Sequence, residues 1–284
     1  MMEGRPYVGR FAPSPTGRLH LGSMVAAVAS YLDAQAHGGR WLVRMEDLDP
    51  PREVSGAAED ILRTLEGFGL HWDGEVMHQR DRHAAYAHAL ESLRNGGLAF
   101  GCVCTRKDLA DSNDLSVYPG NCRKGLPQGV KPRSWRFRMP DSWPLTWNDR
   151  IQGLQSIPAA EVGDVTLRRA DDCWAYHLAV VVDDQEQGVT DIVRGEDLLT
   201  STAAHLAIQR ALDCDSIRYA HVPVVKNAEG QKLSKQTLAE PVEVARASEV
   251  LQAAFQHLKL ESVRLDSPAR MLQEATALWE RAWL

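Results

Sequence analysis

No apolar run in the 284 residues approaches the length of a membrane span. The densest, "LAVVV" at 178–182, falls far short of the roughly 20 residues a spanning helix needs. The N-terminus carries Arg5 but no apolar core of the kind a secretory signal has. Cysteines number five, an odd count without secretory context, which argues against a disulfide framework and for a reducing compartment. These absences read as a cytoplasmic chain with no membrane partner. Internal repeats and low-complexity tracts are also lacking, and no protein partner is evident. Nor is there an overall excess of positive charge, the net charge being -6.

What is present is ordinary for a globular protein: 44% hydrophobic and 25% charged residues, enough chain for one large domain or two modest ones. Tyr7-Val8 opens a strand, and Met24 to Ala36 reads as a helix. "RWLVRME" (40–46) is strand-like. Ser55 is placed to cap a helix whose Ala58, Ile61, Leu62, Leu65 and Phe68 share a face, with Gly69 ending it. Tyr86, Ala89, Leu90 and Leu93 repeat the helical spacing before Gly96-Gly97. This alternation predicts an α/β fold, a Rossmann-like doubly wound parallel sheet covered on both faces by helices. From Phe100 to Arg169 the rhythm breaks into cysteines, tryptophans and six prolines, the mark of an insertion. "YHLAVVVDD" (176–184) then reads as a buried strand, Ser201 to Leu212 as a helix, and "HVPVV" (221–225) as a strand. Val250, Leu251, Ala254, Phe255 and Leu258 form a helical stripe, and Ser267-Pro268 opens a last helix. The expected organisation is residues 1–99 and 170–236 as two halves of a catalytic domain, 100–169 as the insertion and 237–284 as a helical C-terminal region.

The connection "RFAPSPTGRLHLGS" (10–23) is elaborate for a strand-to-helix turn. In such sheets ligands bind beyond the carboxyl ends of strands, where amides and a helix N-terminus favour phosphate. Two phosphate motifs are absent from it: Ser23 stands where a Walker A lysine belongs, and no G-x-G-x-x-G occurs. Pro13 and Pro15 fix the path, Gly17 permits unusual dihedrals, His20 at the helix start can donate to a phosphate oxygen, and Gly22 lets a flat base approach. Downstream, "GQKLSKQ" (230–236) sets Lys232 and Lys235 three apart on a glycine-containing loop, suited to closing over a polyphosphate.

"HLGS" and "KLSKQ", in this order, resemble the HIGH and KMSKS signatures of class I aminoacyl-tRNA synthetases. "RFAPSPTGRLHLGS", "RMEDLDPPR" (44–52), "YHLAVVVDD" and "GVTDIVRGEDLL" (188–199) are similar to the glutamyl-tRNA synthetase catalytic core, from about Arg10 to Gln236. The short stretch 237–284, the serine ending "HLGS" and "DPPREV" (49–54) resemble the truncated branch of that family, the glutamyl-Q tRNA(Asp) synthetases. The resemblance implies activation of L-glutamate with ATP, without need of tRNA, followed by transfer to the cyclopentenediol of queuosine in tRNA(Asp). Mg²⁺ would accompany ATP.

A glutamate pocket needs cations for two carboxylates and an acid for an ammonium. Arg10 and Arg194 are the guanidinium candidates and Glu46 the ammonium partner. Ser14 with the backbone of Ala12 and Pro13 would complete the wall, and Tyr176 would add a hydroxyl; the resemblance places all of these in the amino-acid site. His20 and Lys235 would stabilise phosphate charge, and Gly22 and Lys232 would join them around ATP. Asp47 and Asp49 read as structural, Asp49 as a turn or helix-start residue before Pro50-Pro51.

Cys102, Cys104 and Cys122 suit zinc, which wants a fourth ligand. No histidine lies between His88 and His177, leaving Asp108, Asp111, Asp114 and Tyr118 as local choices. The resemblance supplies a pattern, C-x-C with Y-x-x-x-C, that matches Cys102, Cys104, Tyr118 and Cys122. It implies one structural Zn²⁺ per chain. Cys173 and Cys214 read as buried thiols. Arg123 to Arg138 holds six Lys or Arg, no Asp or Glu, and Trp135 and Phe137 among them; this is either an RNA-facing patch or a solvated hairpin. Two other functions stay open: a short glutamyl-tRNA synthetase charging the tRNA 3′ end, and a non-catalytic RNA-binding paralogue.

Overall fold

The computed structural model describes residues 5–110, 117–143, 145–226, 230, 233 and 240–283. Its first half alternates β1 (Val8–Phe11), α1 (Leu21–Ala36), β2 (Arg40–Met45), α2 (Ala57–Gly67), β3 (Met77–His78) and α3 (His83–Asn95), with the three strands parallel. Helix α2 begins where its apolar spacing predicts, but its N-cap is Gly56 at φ 75° rather than Ser55, with no side-chain cap. Next come β4 (Ala99–Cys102), α4 (Arg106–Ala110), β5 (Ser134–Phe137), β6 (Thr146–Asp149), β7 (Gly153–Ser156), α5 (Ala159–Val162) and β8 (Thr166–Arg168). Strands β4, β5 and β8 form an antiparallel sheet of their own. The chain then runs through α6 (Tyr176–Glu186), β9 (Asp191–Gly195), α7 (Leu199–Ala211), β10 (Arg218–Val222), α8 (Ala247–His257) and α9 (Pro268–Trp283). Parallel β9, β10 and β6, with antiparallel β7 at the edge, make a second four-stranded sheet. The Thr190 amide donates to the Val8 carbonyl at 2.9 Å, setting β9 beside β1.

Residues 176–184 are not the strand the apolar run predicts but the first turns of α6. A short apolar run bounded by turns is compatible with either element. Here the tie is broken by the buried pair Asp183 and Asp184 at its end. A helix can send both carboxylates into arginines from neighbouring elements, whereas strand alternation would point them to opposite faces. Strand β10 stops at Val222, short of the expected 225, because Pro223 has no amide to continue the ladder.

Two apolar clusters hold the layers. Met24, Leu32, Trp41, Phe255 and Trp279 bury α1 between the first sheet and the C-terminal helices. Tyr86, Leu178, Ile208 and Tyr219 join α3, α6 and α7 to the second sheet. Inside the first cluster Asp33 is fully buried and takes hydrogen bonds from Tyr7, Arg150 and the Trp279 indole, so one carboxylate pins α9 to α1. Cys173 and Cys214 are partly exposed rather than buried. Among the described residues no helix is long and apolar enough to cross a membrane.

Candidate active site

The loop after β1 is held at both ends. The Glu46 amide donates to the Pro13 carbonyl at 2.9 Å and the Val54 amide to the Pro15 carbonyl at 3.0 Å, while Gly17 takes φ 128°. His20 is the N-cap of α1: its Nδ1 accepts from the Ser23 amide at 3.3 Å, and its own amide donates to Ser23 Oγ at 2.9 Å. With Nδ1 accepting, the neutral ring carries its proton on Nε2, the donor form the phosphate role requires. A Cβ on Gly22 would stand 3.1 Å from the His20 ring and 3.2 Å from the Leu233 carbonyl oxygen. Leu233, anchored by its amide to the Val225 carbonyl at 2.8 Å, thus sits against the start of α1. Lys232 and Lys235 lie outside the described residues.

A cleft of about 880 Å³ opens beyond the carboxyl ends of β1, β2 and β9. It is lined by Arg10, Ala12, Pro13 and Ser14 from the first loop, and by His20 and Gly22 from the start of α1. Glu46, Tyr176 and Arg194 close its far side, so the residues predicted for the glutamate and ATP sites meet in one cavity as far as they lie within the described residues, while the predicted metal ligands lie apart from it.

The two arginines are in different circumstances. Arg10 is clamped to Asp184 through Nε at 3.1 Å and Nη2 at 3.3 Å, and Arg44 holds the same carboxylate at 2.7 Å. Arg194 is equally buried, at 4% exposure, but among the described residues its bonds go only to neutral groups: Tyr176 Oη at 3.2 Å, Thr202 Oγ1 at 2.7 Å, the Leu198 carbonyl at 3.2 Å and His221 Nε2 at 3.1 Å. Since Arg194 Nε donates to His221 Nε2, the imidazole proton sits on Nδ1, facing Asp149 at 2.5 Å. His205 Nδ1 lies 3.5 Å from Arg194 and its Nε2 3.2 Å from His177 Nδ1. All three histidines are kept neutral. Burial and then Arg194 press His177 down to about 4, and the same causes hold His205 well below its usual value. Burial lowers His221 against the pull of Asp149. Glu46 is shifted the other way, because burial outweighs Arg44 and Arg10. Among the described residues the site therefore presents a buried cation and a desolvated carboxylate, each without a tight ionic partner, to one cavity.

Sequence reasoning missed Arg44, Asp149, Asp184, His205 and His221, which orient the pocket side chains from behind. Only Asp183-Asp184, acids ending an apolar run, carried a local signal. Asp47 is structural as expected, taking Arg80 and His78 into its carboxylate. Asp49 does start a short 3₁₀ turn, Pro50–Arg52, yet its side chain pairs with Arg52 and Arg169 instead of capping.

Around strand β4 the sulfurs of Cys102, Cys104 and Cys122 all lie within 4.8 Å of one another. Cys104 and Cys122 are 3.7 Å apart, and Tyr118 Oη is 3.4 Å from Cys102 and 3.6 Å from Cys104. Thiolates about 2.3 Å from a tetrahedral metal are roughly 3.8 Å from each other, so the donor set fits a metal ion. Burial alone would raise the Cys102 thiol, yet bonds from Tyr118, Cys104 and Arg136 bring it to about 7. The six-cation segment divides: Arg123, Arg136 and Arg138 are tied to the Met139, Asp164, Gly97 and Arg123 carbonyls. Only Lys124, Lys131 and Arg133 face outward.

A parallel sheet with the His20 loop at its carboxyl edge and the Leu233 segment folded against it is the catalytic domain of a class I aminoacyl-tRNA synthetase. The family model described as tRNA synthetases class I (E and Q), catalytic domain, matches residues 7–256. A glutamyl-Q tRNA(Asp) synthetase of Chromobacterium violaceum is 55% identical over 259 residues, 89% of this chain and 87% of its own length. One from Verminephrobacter eiseniae is 47% identical over the full length of both chains. The chain belongs to the glutamyl-Q tRNA(Asp) synthetase family. A glutamate tRNA ligase of Elizabethkingia meningosepticum, solved in complex with its amino acid, is similar with TM-score 0.78 and 25% identity, over 95% of this chain and 64% of that one. Methionyl-tRNA synthetase of Mycobacterium tuberculosis shares the fold, with TM-score 0.57 and 12% identity, over 89% of this chain and 64% of its own.

Proposed function

We propose that the chain activates L-glutamate with ATP and transfers it to the cyclopentenediol of queuosine at the wobble position of tRNA(Asp). The observation that carries the first step is Arg194, a buried guanidinium bonded among the described residues only to neutral acceptors, facing Glu46 across one cleft. A substrate with a carboxylate and an ammonium supplies the missing charge to each. Arg194 and Tyr176 hold one carboxylate, the Nη1 of Arg10 assists with the other, and Glu46 takes the ammonium. Ser14 and the Ala12-Pro13 backbone wall the pocket.

The α-carboxylate oxygen then attacks the α-phosphorus of ATP, and the bond to the bridging oxygen breaks to release pyrophosphate. Positioning and charge neutralisation dominate such displacements. His20 donates from Nε2 to the phosphate, Lys235 and Lys232 add positive charge, Gly22 admits the nucleotide, and Mg²⁺ enters with ATP. In the second step a queuosine hydroxyl attacks the carbonyl carbon of the mixed anhydride and AMP leaves. Identity of 47–55% to glutamyl-Q tRNA(Asp) synthetases supports queuosine in tRNA(Asp) as acceptor.

We assign zinc to Cys102, Cys104, Tyr118 and Cys122. Bound there it braces the insertion, since four protein ligands leave no open coordination position. None of the five cysteines is in a disulfide, which fits a cytoplasmic location. The test of glutamate activation is ATP–pyrophosphate exchange without RNA. Exchange that depends on L-glutamate is expected; exchange that starts only on adding tRNA would contradict the reading.

A further inference from the structure

Beside the cleft lies a second chamber of about 590 Å³, within the range of ligand pockets. Ser14, Thr16, Glu46, Arg52 and Tyr176 line both cavities, so the chamber opens directly onto the proposed amino-acid site. Its other walls come from three separate parts of the chain. One is the "DPPREV" stretch, through Asp49, Arg52 and Glu53. Another is the metal-bearing insertion, through Tyr118 and Arg136, whose guanidinium stacks 4.0 Å over the tyrosine ring. The third is the start of α6, with Trp174 before it.

The carboxylates of this chamber are not equivalent. Asp49 accepts from Arg52 at 2.6 Å and Arg169 at 3.0 Å. Asp164 accepts from the Met139 amide at 2.8 Å. Glu46 and Glu53 accept no side-chain hydrogen bond among the described residues, their nearest cations being Arg44 at 3.6 Å and Arg80 at 3.9 Å. Glu46 is committed to the glutamate ammonium. Glu53 is a second, partly buried acid with bonding capacity left, in a chamber flanked by aromatic rings.

We infer that this chamber seats the acceptor base and that Glu53 receives its cationic side arm. The inference rests on the reading of queuosine as acceptor and deepens it. Queuosine is a 7-deazaguanine joined to its cyclopentenediol through a secondary amine, which is protonated at neutral pH. The diol has to reach the activated carbonyl from a side that the nucleotide does not fill. The chamber offers that approach through the wall shared at Glu46 and Tyr176. With the diol at that wall, the ammonium one linker behind it needs an acid outside the amino-acid pocket, and Glu53 is that acid.

The test uses the full chain, an anticodon stem-loop carrying queuosine, and two assays: pyrophosphate exchange and glutamate transfer. Glu53→Gln is expected to leave exchange unchanged and to raise the KM for the stem-loop about tenfold, the scale of a charge-assisted hydrogen bond. Thr166→Tyr, which narrows the chamber from an edge strand that tolerates an aromatic residue, is expected to abolish transfer while exchange continues. Acetylating the queuosine amine should raise KM for the unmodified enzyme and have little further effect on Glu53→Gln. Wild-type transfer kinetics in both variants, or exchange falling in step with transfer, overturns the inference. Failure of the unmodified enzyme to label any queuosine stem-loop while exchanging pyrophosphate overturns the acceptor assignment instead.

Discussion

Arg10 and Arg194 face one cleft in opposite electrostatic settings: Asp184 already neutralises Arg10 at 3.1 Å, whereas Arg194 is bonded among the described residues to neutral acceptors. A buried charge without a counter-ion is costly unless a ligand completes it. Under the proposed function Arg194 is therefore expected to contribute more to glutamate binding than Arg10, whose guanidinium Asp184 already holds between α6 and β1. Arg194→Ala is expected to raise the glutamate KM in pyrophosphate exchange roughly 30- to 150-fold, the equivalent of about 2–3 kcal/mol for a charge-assisted bond. Arg194→Lys should recover little of it, because an ammonium cannot reproduce the fork held by Thr202, His221 and Leu198. A KM within twofold of wild type in Arg194→Ala would show that the carboxylate is bound elsewhere.

The neutral histidines behind Arg194 give stability a defined pH dependence. In the unfolded chain His177 protonates near its ordinary 6.5, and in the folded protein only near 4. Above pH 6.5 both states are neutral and its contribution is complete. As pH falls toward 4 the unfolded state binds a proton that the folded state refuses, and stability declines. Denaturant midpoints measured between pH 7.5 and 5 should fall, and His177→Asn should flatten that slope. An unchanged slope in the variant would remove His177 from the account.

The cysteine cluster predicts metal content and its consequence. Elemental analysis should find one zinc per chain, and Cys102→Ala should lose it. Chelation should lower the melting temperature, and exchange should survive at temperatures where the protein remains folded, since a metal held by four protein ligands has no position open for chemistry. Stoichiometric metal retained by Cys102→Ala would contradict the ligand set.

Of the cations between Arg123 and Arg138, three are spent on backbone carbonyls and three face outward. Each phosphate deprived of its protein cation reduces the salt slope of binding by roughly 0.7–0.9. Replacing Lys124, Lys131 and Arg133 together by Ala should lower the slope for tRNA by about two to three. Replacement that leaves the slope unchanged would mean that RNA binds another face.

Much of this was legible in the residues themselves. The βαβα rhythm, the His20 loop and the charges demanded by a glutamate substrate are local signals, and the side chains they single out line one cleft. What escaped was long-range. Asp184 clamps Arg10 and Arg44 from 174 and 140 residues away, a pairing no spacing records. "YHLAVVVDD" misled because an apolar run without periodicity does not separate a buried helix from a buried strand. Likewise, six clustered cations do not reveal which of them are spent on the fold. The division between Glu46 and Glu53 is visible only once "DPPREV" is seen curling beside the cleft.

The acceptor is the most specific element of the proposal and is tested directly by mass spectrometry of tRNA(Asp) incubated with L-glutamate, ATP and the enzyme. Queuosine-containing tRNA should gain one glutamyl group mapped to the wobble nucleoside, and the same tRNA with unmodified guanosine there should gain none. Equal labelling of both, or glutamate recovered on the 3′-terminal adenosine, would contradict the account.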